Sequence, residues 1–468
     1  MRVVAVALLL VSGCAVGPDY RRPALDLPAA YHHAPSEESA RSFADVNWWE
    51  VFGDPQMVAL IDEALGDNLD LGIAASQIVQ AEAQLAVARS PIFPQLAGQA
   101  QASRSNQNTT FSTTNSFLAA LTLSWEIDLW GRYLRATEAA RADLLATKEA
   151  RSGVITSLVA GVAQQYLQLV ALRQRLEIIR RTVVAQRDSL RLVKELAQQG
   201  VQSAAEVSQA QSQLLTTENQ IPAIELQIAQ TEDALAILLG KAPRSFDTGA
   251  SLPPNAVPPL VPPGVPSELL ERRPDIRQAE QQLVATNANI GVAKARFFPT
   301  ISLTGALGRA SDVLRGLVQS GGQNVRTAGV AVNLPIFSGG ALVGNYDIAR
   351  AQAEQAALAY RRSVLVALQE VSDALIAFDR DRAEAQGNRD RVAVNGEALR
   401  LAQLRFRSGV ISYLEILDAQ RQLLSSQLDL NASESNQRLA AVQLYKALGG
   451  GWNAPKRSAP IAPDVGQR

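Results

Sequence analysis

One residue type in this chain stands alone. Cys14 is the only cysteine among 468 residues. It follows an apolar run, Val3 to Val11, opened by Arg2 and closed by Val11-Ser12-Gly13. A run that short does not span a bilayer as a mature helix, and small residues directly before a cysteine have the form of an export-signal cleavage site. The Cys14 thiol is therefore expected to carry acyl chains, palmitate among them, as in a bacterial lipoprotein. Each buried methylene adds about 0.8 kcal/mol, so several chains on one residue make a durable anchor. Ala15, where an aspartate would retain the protein at the inner membrane, fits sorting to the outer membrane of a diderm bacterium.

Other chemistry is not legible. Gly240-Lys241-Ala242 lacks the hydroxyl and the preceding glycine of a phosphate-binding loop. There is no HExxH, no GxSxG and no cysteine cluster. His32-His33 has no further ligand nearby in sequence, and Asp379-Arg380-Asp381-Arg382 reads as a salt-bridged helix surface. No catalytic residue, metal or cofactor beyond the lipid is expected. A net charge of -1 gives no reason to expect nucleic acid. Arg272-Arg273 and Arg361-Arg362 are the densest basic spots, and both read as solvated or capping positions.

The elements behind these residues are written twice. Asn68 to Gly240 returns, diverged, from Arg273 to Gly449. Asp70 pairs with Asp275, Phe93-Pro94 with Phe298-Pro299, Gly200-Val201 with Gly409-Val410, and Leu239-Gly240 with Leu448-Gly449. The near-constant offset marks a duplicated unit. The expected organisation is a signal peptide (1–13), an N-terminal strap and short helix (14–66), a first repeat (67–240), a Pro-rich linker (241–267), a second repeat (268–449) and a tail (450–468).

Each repeat is dominated by helix. Between Gly131 and Pro222 there is no proline, and a helix from about Tyr133 to Gln199 reaches about 100 Å at about 1.5 Å per residue. An apolar heptad register runs through it: Ile155, Val162, Leu169, Leu176, Val183, Leu190, Ala197. The second repeat has Val364, Val371, Phe378, Ala385, Val392, Leu399 and Phe406. Such a register predicts coiled-coil packing against a return helix, Ala204 to Leu239 or Tyr413 to Leu448. The hairpin tips then fall at Gly200 and Gly409.

Each repeat also carries a strand pair, about 93–128 and about 297–336. Ile301, Leu303, Gly305 and Leu307 alternate with Thr300, Ser302, Thr304 and Ala306. Leu121, Leu123, Trp125 and Ile127 alternate with Thr122, Ser124 and Glu126. One apolar and one small polar face over about ten residues is the pattern of a transmembrane β-barrel. Four strands cannot close, and an open edge cannot sit in lipid. Three chains give a twelve-stranded barrel wide enough for an aqueous lumen, so the expected fold is mainly α with a membrane β-barrel shared by a homotrimer, continued by a helical barrel.

These residues resemble the outer-membrane factor family of TolC-like channels, and within it the NodT-like lipoprotein branch of RND efflux systems. The resemblance covers essentially the whole mature chain. It is carried by Cys14-Ala15-Val16-Gly17-Pro18-Asp19-Tyr20, by Trp48-Trp49-Glu50-Val51-Phe52-Gly53-Asp54-Pro55, and by Leu270-Glu271-Arg272-Arg273-Pro274-Asp275-Ile276. Leu334-Pro335-Ile336-Phe337-Ser338-Gly339-Gly340 and the run from Arg407 to Arg421 continue it in order.

The resemblance implies an exit channel that passively conducts small molecules, completed by a periplasmic adaptor and an inner-membrane RND transporter. It implies that Gly200, Val201 and Ser203 in one tip, and Gly409, Val410 and Ser412 in the other, meet the adaptor. It implies that Glu415 and Asp418 line a closed periplasmic entrance; in the first repeat Glu206 matches Glu415, while Gln209 replaces Asp418. A solvated helix face, with the two acids spaced i and i+3 and Arg421 close by, is the other reading of that pair. An exit duct for type I protein secretion is the alternative on the same fold, and a tethered coiled-coil scaffold is an alternative of another class.

Overall fold

The computed structural model describes residues 15–32, 52–107, 112–247, 265–319 and 321–450. The signal peptide, Cys14, His33, the block from Trp48 to Val51, the Pro-rich stretch 252–264 and the tail after Gly450 lie outside the described residues.

The elements follow the duplication. α1 (Pro55–Asp67) and α2 (Leu69–Arg89) lead into β1 (Gln95–Gln107) and β2 (Ser112–Ile127). They continue through α3 (Arg132–Gln198), α4 (Ala204–Glu218) and α5 (Ile221–Leu238). The second pass runs α6 (Leu269–Arg272), α7 (Pro274–Ala295), β3 (Thr300–Ser311), β4 (Gln323–Asn333), α8 (Ala341–Arg407) and α9 (Tyr413–Ala447). α3 and α8 are both 67 residues long.

Local chemistry sets the ends. Asp128 accepts from the N–H groups of Tyr133 and Leu134, both at 2.9 Å, filling two donors that the first turn of α3 leaves open. At the far end Gly200 takes φ +76. Its N–H reaches Ala197 O at 3.0 Å and Val201 N–H reaches Leu196 O at 2.9 Å. That pair of bonds closes a helix with a left-handed residue, a conformation that favours glycine. The end of α8 repeats it: Gly409 has φ +72, with bonds from Gly409 to Phe406 and from Val410 to Arg405.

One expectation fails. The first return helix is not continuous from Ala204 to Leu239 but breaks after Glu218. Pro222 has no N–H and its ring would collide with the Glu218 carbonyl, so the chain restarts with Pro222 in the first turn of α5. The second return helix, with no proline, runs unbroken.

The chain divides into two compact units. One holds 1–25, 75–150 and 275–363, including the sheet. The other holds 26–74, 151–274 and 364–468, including both hairpin tips. In the second, the heptad register is the core: Val162, Leu169, Val183 and Val371 are at most 3 % exposed. Three ion pairs lace the first hairpin, Arg173–Glu232 at 2.6 Å, Arg180–Glu225 at 2.8 Å and Arg187–Glu218 at 2.6 Å. Each rung steps seven residues forward on α3 and seven back on α4–α5, which fixes the register of an antiparallel pair.

Candidate functional site

The sheet is an antiparallel meander in the order β1-β2-β3-β4, so β2–β3 joins the repeats and β1 and β4 are open edges. Its register lines up the alternating faces. Ile127 lies opposite Ile301 and Ile301 opposite Val332; Trp125, Leu303 and Val330 form the next row; Leu123 and Gly305 lie with Leu96 and Ala328. Residues directly opposite share a face, so these rows make one apolar surface. The other face carries Ser302 opposite Glu126, Thr304 opposite Ser124, and Ala306 opposite Thr122. On the apolar face Leu96, Leu307, Val330 and Val332 are each at least 60 % exposed. On β2 itself the apolar positions run from Phe117 to Ile127, about 33 Å along the strand, while Arg326, Arg309 and Asn324 enter the same face from the Leu121 row toward the hairpin turns.

A strap follows Cys14 and is pinned in the same unit. Val16 N–H donates to Trp130 O at 3.0 Å. Gly17 has φ +114, and a Cβ there would stand 2.5 Å from the Gly291 Cα. Arg135 pairs with Asp19 at 2.7 Å. Arg22 grips Glu280 with two bonds, 2.6 and 2.7 Å, and Tyr20 donates to the same carboxylate at 3.0 Å. Burial, reinforced by Glu280, pushes the Tyr20 phenol well above its ordinary range. The strap lies by Trp130, which stacks on Phe298 at 4.6 Å and donates to Pro299 O at 2.8 Å.

The hairpin tips carry the other expected residues. Val201 and Val410 are 65 % and 64 % exposed, apolar points beside Gly200 and Gly409. Ser203 caps α4 in a reciprocal box: Glu206 N–H reaches Ser203 Oγ at 3.3 Å and Ser203 N–H reaches Glu206 Oε2 at 2.9 Å. Ser412 stands at the start of α9 with no such side-chain bond. Beneath the second tip Phe406 meets Tyr413 edge to face at 5.7 Å. Gln420 donates to Ser189 Oγ at 3.1 Å, so α9 of the second repeat docks on α3 of the first. Burial raises the Tyr413 phenol, while a hydrogen bond with Ser189 opposes that.

Those contacts orient α9. Tyr413, Ile416, Leu417 and Leu424 face the core with Leu190 and Val193. Glu415 and Asp418 take the opposite side, one turn apart. Asp418 is held locally: Arg421 donates to Oδ1 and Gln422 to Oδ2, both at 2.6 Å. Glu415 has no side-chain partner among the described residues. The structure thus brings the two acids together on one exposed face and adds Arg421 and Gln422, of which only Arg421 was legible as a neighbour.

Sequence reading missed two features. The Ser203–Glu206 box was visible as S-x-x-E. The strap contacts had no local signal, because Arg22 and Glu280 are 258 residues apart. Among the described residues no group of three or more His, Cys, Asp or Glu is placed to hold a metal ion.

The outer membrane efflux protein family model matches residues 60–241 and 265–450, one match per repeat. The solvent efflux pump outer membrane protein SrpC of Pseudomonas putida is 36 % identical over 459 residues, spanning 96 % of this chain and 97 % of that one. The cation efflux system protein CusC of Escherichia coli O6:H1 is 33 % identical over 455 residues, spanning 95 % and 97 %. Among solved structures, the outer-membrane channel OprN superposes with a TM-score of 0.87 at 29 % identity, covering 94 % of this chain and all of that one. The open state of the Neisseria gonorrhoeae MtrE outer membrane channel gives 0.84 at 30 % identity, covering 94 % and 99 %. The chain belongs to the outer membrane efflux protein family and is an outer-membrane component of an efflux pump.

Proposed function

We propose that three copies of this chain form the passive exit channel of a tripartite RND-type efflux pump. The sheet carries this reading. Its two open edges and exposed apolar face are intolerable in water and in lipid alike, unless β4 of one copy pairs with β1 of the next. β1 and β4 run in opposite directions, so such pairing is antiparallel at every junction. Three chains close twelve strands, with Ser302, Thr304, Thr122 and Glu126 facing the lumen and Leu307, Leu121 and Val330 facing lipid.

Acyl chains on Cys14 supply a second hold on the membrane. Only Ala15 separates that residue from the bond between Val16 and Trp130. The linkage ties anchor and barrel into one unit, and the aromatic pair Trp130–Phe298 suits the membrane interface.

The hairpin tips dock a periplasmic adaptor, with Val201 and Val410 as apolar contacts and Ser203 and Ser412 at the helix starts. Glu415 and Asp418 constrict the entrance. Around a threefold axis these carboxylates crowd together, and the local bonds from Arg421 and Gln422 hold Asp418 oriented. Opening then needs only a shift of the helical hairpins. Transport energy comes from the inner-membrane transporter.

Photocross-linking in the native cell from a probe at Ser203 or Ser412 tests the assignment. Capture of an RND-type adaptor is expected. Capture of a secretion-type adaptor would move the function to protein export, and capture of neither from an expressed trimer would refute the assignment of the tips.

A further inference from the structure

The charges of the sheet are sorted by face. Among the described strand residues the basic side chains are Arg104, Arg309 and Arg326, and the single acidic one is Glu126. Arg309 shares a row with Ala119, Arg326 with Leu307, and Arg104 with Asn115. All three therefore stand on the apolar face. Glu126 stands on the other face, at the end of β2 next to α3.

The arginines are also sorted by height. Each lies at or beyond the Leu307–Leu121 row, toward the hairpin turns and away from α2, α3 and α7. The β3–β4 connection folds at the same end. Arg309 donates to Leu317 O at 3.2 Å and Gln319 O at 2.9 Å, drawing the loop toward the apolar face. The loop exposes Val313, Leu314 and Val318, the last at 86 %. Arg104 and Arg326 are exposed and have no carboxylate partner among the described residues.

We infer that Arg104 on β1 and Arg326 on β4, which the barrel reading makes neighbouring strands at each junction between copies, bind the phosphate groups of a phosphorylated glycolipid in the outer leaflet. The inference rests on the barrel reading above. An arginine on a lipid-facing strand at the membrane rim carries its stem along hydrocarbon and its guanidinium into the headgroup layer. There it meets phosphate, which it binds in a two-pronged geometry that lysine cannot reproduce. Val313, Leu314 and Val318 give the same lipid an apolar contact. An arginine that served to attract cargo would face the lumen, and no strand arginine does.

The test uses the full-length, acylated protein purified in detergent, with Arg104→Gln/Arg326→Gln as the variant. Arg309 is left intact because it holds the loop. Thermal unfolding is followed with bis-phosphorylated lipid A, its dephosphorylated form, or inorganic phosphate. The expected result is protection of the wild type by the phosphorylated lipid alone, with apparent affinity falling at least tenfold in the variant. Equal protection by dephosphorylated lipid, equal affinity in the variant, or equal protection by inorganic phosphate would overturn it. Should the double variant fail to assemble, Arg104→Gln alone is read the same way. Conductance in planar bilayers separates the two claims: a protein that forms no pore refutes the barrel, while one that conducts but ignores phosphate refutes only this surface.

Discussion

Arg421 holds Asp418 at 2.6 Å on the exposed side of α9, with Gln422 on the other carboxylate oxygen at the same distance. The pair is half exposed, and such a bond stabilises by only ~0.2–1 kcal/mol. Asp418→Ala should therefore raise single-channel conductance in planar bilayers while leaving the melting temperature of the assembly nearly unchanged. Unchanged conductance would remove the acid from the gate.

Gly17 lies against Gly291 with φ +114, where a side chain is both strained and obstructed. Gly17→Ala should lift the strap. The loss is on the order of 1 kcal/mol or more, since the conformation itself favours glycine. Limited trypsin digestion should then cut after Arg21 well before the helices are attacked. An unaltered digestion pattern would mean that the Arg22–Glu280 and Arg135–Asp19 pairs hold the strap without this contact.

Tyr166 donates to Asp54 Oδ2 at 2.5 Å, and the other oxygen of that carboxylate caps α1 through Gln56 and Met57 N–H groups. Tyr166→Phe leaves a buried carboxylate oxygen unpaired. The expected cost is about 1.5–3 kcal/mol, the range for hydrogen bonds to charged groups. Denaturant unfolding of the detergent-solubilised protein measures it.

Alkaline stability should report Tyr445. The ring is 1 % exposed, and burial pushes its phenol up to about 12. An unfolded tyrosine titrates near about 10, so between those values the unfolded chain loses a proton that the folded chain keeps. Tyr445 thus stabilises fully below about pH 10, and its contribution is lost as pH rises through the folded value, on the order of 2 kcal/mol. Tyr445→Phe should flatten stability against pH across that window.

Periodicity carried most of the fold. Val162 and Leu169, picked by a seven-residue step, are fully buried, and Leu303 and Leu121 lie on the face their alternation assigned. What escaped were relationships with no local spacing. The Arg173–Glu232 ladder needs the antiparallel register before its charges can be matched, and the clamp of Glu280 by Arg22 joins distant segments. The break before Ile221 was legible in Pro222 but was outweighed by the continuity of the apolar pattern around it. At the second tip, spacing placed Glu415 and Asp418 on one face, whereas the contact that turns that face outward, Gln420 on Ser189, crosses between the repeats.

The central claim is that the four-stranded sheet is one third of a closed wall. Native mass spectrometry of the purified, acylated protein tests it most directly. The account predicts a single species of three chains, each derived from the 50.1 kDa polypeptide, that dissociates only on heating. A monomer or dimer that keeps its β content would contradict it, because neither one nor two copies of this sheet can enclose a water-filled lumen.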